Sequence, residues 1–167
     1  MINLKTSNLK KENGFSLIEA LVVLFVIGII TGVTLPYFFG FYSGAELKTA
    51  GRRVASVLRA AKSYADAKDL DYQVVFSISG GGNQLTMTTF EDPDGSNDQV
   101  GKPEKIELSK SVQFTVSFSG SSSDRVTFYS NGTANNGTVT INNTDKGKKV
   151  EVTVNQYTGA VKVSDLK

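Results

Sequence analysis

The 167-residue chain carries 18 Lys+Arg against 16 Asp+Glu, a formal net charge of +2, and has no histidine, cysteine or tryptophan. No Ser-His-Asp triad, cysteine nucleophile, Cys/His zinc site or disulfide can be built from it, while a carboxylate pair, a lysine base or an oxygen-ligated cation remain open. The length fits one domain of ordinary size, and so balanced a charge gives no sign of the clustered basic excess typical of nucleic-acid-binding domains.

Residues 1–14 (MINLKTSNLKKENG) are short and polar. Lys5, Lys10 and Lys11 against Glu12 account for the whole net charge, leaving 15 basic and 15 acidic residues in the rest of the chain. From Ala20 to Ala45 there is no charged residue. Ala20 to Phe41 would form a helix about 33 Å long, enough to span a bilayer core of about 30 Å. Leu21 to Ile30 is apolar on all sides apart from Gly28, so the segment reads as membrane-spanning or buried in a helix bundle. A cleaved secretory signal is the alternative. It fits less well, because Glu19 interrupts the apolar run and Gly32-Val33-Thr34 is a poor cleavage site. Pro36 removes a backbone donor and clashes with the preceding turn. With Gly28, Gly32 and Gly40 nearby, the sequence predicts a helix break or kink within 28–44. Ser43-Gly44-Ala45-Glu46 has capping-box spacing and would restart the helix.

The pattern is amphipathic over 45–70. Leu47, Ala50, Val54, Val57, Leu58, Ala61, Tyr64 and Ala65 recur at spacings of mostly three and four, the stripe of a helix laid on a core. Arg52, Arg53, Arg59 and Lys62 on this helix are read as a solvated face, with phosphate binding as the alternative.

From Tyr72 the period becomes two. Gln73–Ser79, Gln84–Phe90, Val112–Phe118, Arg125–Ser130, Thr138–Asn142, Val150–Asn155 and Ala160–Ser164 are predicted as short antiparallel strands rich in Val, Thr, Phe, Ile and Tyr. Gly80-Gly81-Gly82-Asn83 joins the first two as a hairpin. Asn131-Gly132, Asn136-Gly137, Lys146-Gly147 and Thr158-Gly159 mark turns. Three Asn-x-Thr triplets, at Asn131, Asn136 and Asn142, match glycosylation sequons but read as turn residues followed by a strand threonine.

One loop, Glu91 to Asp98, is acidic. Asp92, Asp94 and Asp98 give a weak oxygen-ligand pattern for Ca²⁺. The EF-hand register fails because Gly95 directly follows the second Asp. The plainer reading is a solvated turn, so no cofactor or metal is expected.

The stretch Lys10-Lys11-Glu12-Asn13-Gly14-Phe15-Ser16-Leu17-Ile18-Glu19, leading into the apolar run, resembles the prepilin signature of type IV pilins and type II secretion pseudopilins. The resemblance implies cleavage between Gly14 and Phe15 by a prepilin peptidase, N-methylation of Phe15, and retention of the apolar segment. It also implies that Glu19 pairs with the α-amine of Phe15 on a neighbouring subunit. Independent physics makes sense of two of these positions. Gly14 has no Cβ and can enter a protease site in extended form. A carboxylate at position 19 is costly in hydrocarbon unless compensated. Ser16-Leu17-Ile18-Glu19 is itself a capping-box pattern, so Glu19 has a local alternative as a helix-start residue.

Three further segments, Leu58–Ala65, Val126–Thr133 and Val152–Val163, are similar to the helix end and closing strands of the minor pseudopilins of GspH and FimT type. The fold so implied is α+β. A leader (1–14) is followed by a transmembrane and assembly helix (15–44) and a pilin-like globular domain (45–167), whose amphipathic helix packs on an antiparallel β-rich region, 72–167. The implied function is structural and non-enzymatic: a subunit of a type II secretion pseudopilus or type IV pilus. Its partners would be other subunits, the prepilin peptidase, an inner-membrane assembly platform and, before assembly, the lipid bilayer. The implied place is the inner membrane, with the C-terminal domain outside the cytoplasm, and then a periplasmic or surface filament; the basic residues flanking the apolar run do not choose a direction by themselves. The alternative is a DNA-binding minor pilin of a transformation pilus. Lys102, Lys105, Lys110, Lys146, Lys148 and Lys149 would be its phosphate contacts, interleaved with Glu104, Glu107 and Asp145.

Overall fold

The structure, a computed structural model, describes residues 15–91, 98–120 and 122–167, with the backbone alone at 35–43. One helix, α1 (Leu17–Lys68), is followed by eight strands: β1 (Tyr72–Ser79), β2 (Gln84–Glu91), β3 (Asp98–Glu107), β4 (Val112–Phe118), β5 (Arg125–Phe128), β6 (Gly137–Asn143), β7 (Lys148–Val154) and β8 (Val161–Val163). They form two four-stranded antiparallel sheets, ordered β3-β2-β1-β5 and β4-β6-β7-β8. The chain divides into two units, one ending at Gly40 and one beginning at Phe41.

The stretch expected to break or kink, 28–44, lies within the helix, which runs from Leu17 to Lys68. A proline removes a single i→i−4 donor, a cost of about 3 kcal/mol that one interior site can bear. The turns before it keep their bonding, and the Thr31 and Thr34 hydroxyls add bonds back to the Ile27 and Ile30 carbonyls at 2.7 and 2.5 Å. Gly28 and Gly32 do not break the helix either. The capping box expected at Ser43–Glu46 is likewise not a helix start. Glu46 reaches across the fold, accepting bonds from the Ser109 amide (2.8 Å) and hydroxyl (2.9 Å) in the β3–β4 connection. The helix ends where Asp69 takes a left-handed conformation (φ 56°), with its N–H bonded to the Ala65 carbonyl.

Within the unit from Phe41, α1 lies against both sheets. Leu47, Ala50, Val54, Ala55, Leu58, Ala61 and Ala65 are fully buried on one stripe. The sheets supply Tyr72, Val74, Phe76, Leu85, Met87 and Ile106 from one side and Val112, Phe114, Val139, Ile141, Val150, Val152 and Val154 from the other. Buried and open positions alternate over Tyr72–Phe76 of β1, Val139–Asn143 of β6 and Val150–Val154 of β7, the signature of period two. Phe76 and Phe118 stack at 5.5 Å and join the two sheets.

Strand β3 was absent from the sequence reading. It contains Gly101 and Pro103 and buries only Ile106, so it lacks alternation. It lies at a sheet edge, where a proline costs no ladder bond, and its register against β2 shifts between Met87 and Thr89. The turn reading of the sequons holds for Asn131 but not for Asn142, which lies in β6 with Thr144 in the turn after it. Asn131 Oδ1 accepts from the Thr133 amide and hydroxyl, and Asn143 Oδ1 accepts from the amides of Asp145 and Lys146.

Gly51 sets the approach of α1 to β7. A Cβ added there would lie 2.8 Å from Val150 Cγ1, and Val150 is itself fully buried. Gly51→Leu should therefore destabilise residues 45–167 by about 1–3 kcal/mol through overpacking. Urea unfolding of that fragment measures it, and a neutral or stabilised variant would contradict the packing described.

One cluster makes this unit pH-sensitive. The Tyr72 hydroxyl donates to Glu91 Oε2 at 2.6 Å and Lys68 Nζ to the same oxygen at 2.9 Å. The Lys68 hydrogen bond, then that of Tyr72, holds the Glu91 carboxyl below its ordinary range, and the Glu91 hydrogen bond raises Lys68. Burial is the main cause that pushes the Tyr72 phenol up. Glu151 is lowered chiefly by its hydrogen bond from Lys149. Both carboxylates have folded values below their unfolded ones. Their contribution is present above the ordinary carboxylate range and is lost as pH falls through the depressed values. The Lys68 contribution, of opposite sign, fails only in strong alkali. Urea midpoints should hold near neutrality and fall below about pH 4, less steeply in Glu91→Gln. An equally steep acid fall in Glu91→Gln would remove Glu91 from this role.

Candidate functional site: an exposed apolar helix with one carboxylate

The first unit is, in its described part, a bare helix. Leu17–Thr34 has a mean hydropathy of 2.5, and none of it is buried within the chain. Leu17, Leu21, Val22, Leu24, Phe25, Ile29, Ile30 and Val33 are all exposed, and they point to every side. Branched and aromatic side chains all round a helix leave no face for water. At about 1.5 Å per residue these 18 residues span about 27 Å, close to the thickness of a bilayer core.

Phe15 precedes the helix and is 76% exposed. The first turn is closed by the Ala20 amide on the Ser16 carbonyl at 3.1 Å. Glu19 is exposed in that turn, the one acidic group there, where the helix dipole favours a negative charge. No side-chain hydrogen bond joins Ser16 to Glu19 among the described residues, so the capping-box contact is not made. Gly14 lies outside the described residues. Phe15 and Glu19 thus stand four positions apart at the head of the apolar helix, with the carboxylate unpartnered among the described residues.

The weak Ca²⁺ pattern falls mostly outside the described residues. Asp92 and Asp94 are not among them, and Asp98 opens β3 opposite Glu91. Among the described residues no three metal-ligating side chains converge.

Three of the four basic residues singled out on α1 have structural partners; Arg52 has none among the described residues. Arg53 pairs with Glu104 on β3, Arg59 donates to the Val161 carbonyl at 3.1 Å, and Lys62 donates to the Thr158 carbonyl at 2.6 Å. They tie the helix to the edges of both sheets. Of the strand lysines, Lys149 pairs with Glu151 at 2.9 Å, while Lys102 and Lys105 lie on the edge strand β3 on either side of Glu104. Sequence reasoning assigned no role to Gly51 or the Lys68–Tyr72–Glu91 cluster, and read Glu46 only as part of a capping box. Each depends on a contact distant in sequence, which no local period announces.

Comparison with known proteins gives two family matches. Residues 50–159 match the model for type II transport protein GspH, and residues 9–35 match the prokaryotic N-terminal methylation motif. No curated protein matches. Solved structures share the fold. The minor pseudopilin EpsH from the type 2 secretion system of Vibrio cholerae superposes with TM-score 0.53 at 15% identity, covering 72% of this chain and 97% of that one. The type IV minor pilin FimU of Pseudomonas aeruginosa gives 0.52 at 16% identity, covering 74% and 92%. The fold is pilin-like α+β, and an N-terminal methylation motif heads an apolar anchor helix. The chain belongs to the GspH family of type II transport proteins.

Proposed function

We propose that this chain is a minor subunit of a type II secretion pseudopilus or a type IV pilus, and that it polymerises through its N-terminal helix. The observation that carries this reading is the apolar helix Leu17–Thr34, wholly exposed within the chain and led by one carboxylate at Glu19. Such a surface requires another apolar phase. Lipid supplies it before assembly, and the helices of other subunits supply it after.

In this reading a prepilin peptidase cuts between Gly14 and Phe15, and the new α-amine is N-methylated. The leader stays in the cytoplasm, while the domain from Phe41 stands outside the inner membrane. The assembly platform then draws the helix out of the bilayer. The Phe15 ammonium of one subunit meets Glu19 of the next, which offsets the cost of a carboxylate in a low-dielectric core. The β-rich domain is displayed on the filament, and the chain's role is mechanical rather than catalytic. No observation favours the DNA-binding alternative, whose lysines are interleaved with Glu104, Glu107 and Asp145.

Intact-mass analysis of membrane-extracted protein tests the reading. The expected species is Phe15–Lys167, 153 residues, carrying one added methyl group at its N-terminus. A mature chain beginning at Leu35 or Pro36 would mean an ordinary signal peptidase and loss of the assembly helix, and would overturn it.

A further inference from the structure

The charge of the domain is unevenly placed. Ser111–Ser123, Thr127–Thr144 and Val152–Val161 contain no charged residue. These segments hold the β4–β5, β5–β6 and β7–β8 connections, and the three meet around one cavity of about 410 Å³. Its walls include Ser119, Tyr129, Thr133, Asn135, Gln156 and Tyr157. Not one charged side chain lines it.

The cavity is braced from behind. The Tyr129 hydroxyl donates to Asn135 Oδ1 at 3.0 Å, and Asn135 Nδ2 donates to the Ser119 carbonyl at 2.8 Å. The Ala134 amide donates to the Gln156 carbonyl, linking the second loop to the third. Asn155 Oδ1 accepts from the amides of Tyr157 and Thr158 and fixes the third turn. That turn holds Tyr157 81% exposed beside the cavity, while Tyr129 is 37% exposed. The Gln156 amide and the Tyr157 hydroxyl have no partner among the described residues. Tyr157 therefore leaves an aromatic face in water that the fold itself does not use.

We propose that this cavity binds a neutral saccharide. The chemistry is matched on each side. A pyranose has an apolar C–H face for a tyrosine ring and hydroxyls that both donate and accept. Amide and hydroxyl groups satisfy such hydroxyls without charge. Tyrosine gives a rigid face with a polar tip, and a concave site of a few hundred Å³ is of small-ligand size. An anionic ligand has no cation to meet here. An apolar peptide anchor would leave the unpartnered amide of Gln156 buried and unsatisfied. The site is independent of whether and where the chain assembles.

The test uses the full chain in a sugar-free detergent such as lauryldimethylamine oxide, because maltoside headgroups would compete. Maltotetraose, cellotetraose and chitotetraose serve as probes, read by calorimetry and by the change in tyrosine emission in this tryptophan-free protein. At least one should bind with Kd of about 1 mM or tighter, with no dependence on salt between low and high ionic strength. Tyr157→Ala should weaken it at least tenfold, Tyr157→Phe should keep most of the affinity, and the thermal midpoint should be unchanged in both. Gln156→Ala should weaken binding without altering the fold. Failure of all three probes, binding that survives Tyr157→Ala, or binding that falls with salt would overturn the proposal.

Discussion

An apolar helix that no described residue of its own chain covers imposes the main constraint on this molecule. Leu17–Thr34 exposes leucine, valine, isoleucine and phenylalanine on every side. At about 25 cal/mol per Å² of apolar surface, leaving that segment in water would outweigh the net stability of an ordinary domain. The helix must therefore be surrounded by lipid or by like helices. Either environment makes Glu19 expensive, since a carboxylate in hydrocarbon costs several kcal/mol unless a cation meets it. The first turn offers only the helix dipole. A membrane-embedded monomer would bear that cost, and a stack of subunits with a cation at the right height would relieve it.

The unit from Phe41 answers the opposite requirement. Its described core residues run from Leu47 to Val154 and all lie in this unit. Several of its cations are matched to its own acids or carbonyls, as at Arg53, Arg59, Lys62, Lys68 and Lys149. Two opposed solvation demands thus sit on one chain. The apolar helix demands an apolar phase, and the domain from Phe41 turns its polar and charged groups to water.

Much of this was legible from local pattern. An unbroken apolar run, a three-and-four stripe and alternating strands each follow from a short repeat, and Leu47, Val54, Leu58, β1, β6 and β7 came out as read. Where the sequence misled, a tertiary or continuity effect decided. Ser43 and Glu46 had capping spacing, yet Glu46 found Ser109 instead. Edge strand β3 hid because edges tolerate Gly101 and Pro103 and need no alternation. The split of seven strands and one more into two sheets lay beyond any periodicity. The candidate site is a mixed case. Phe15 and Glu19 were identified by resemblance to a motif, and the exposure of the helix behind them is what the structure adds.

Exchange of the Glu19 carboxylate for its uncharged isostere tests the central claim most directly. Glu19→Gln keeps shape and hydrogen bonding but not charge, and glutamine can replace glutamate in a capping box. Filaments sheared from cells expressing the chain with its native assembly machinery would be compared for parent, Glu19→Gln and Glu19→Ala, with processing after Gly14 monitored in each. The account predicts normal cleavage and membrane insertion in both variants, with a severe loss of the subunit from filaments in both. Incorporation of Glu19→Gln at the parental level would contradict it and leave Glu19 as a local helix-start residue.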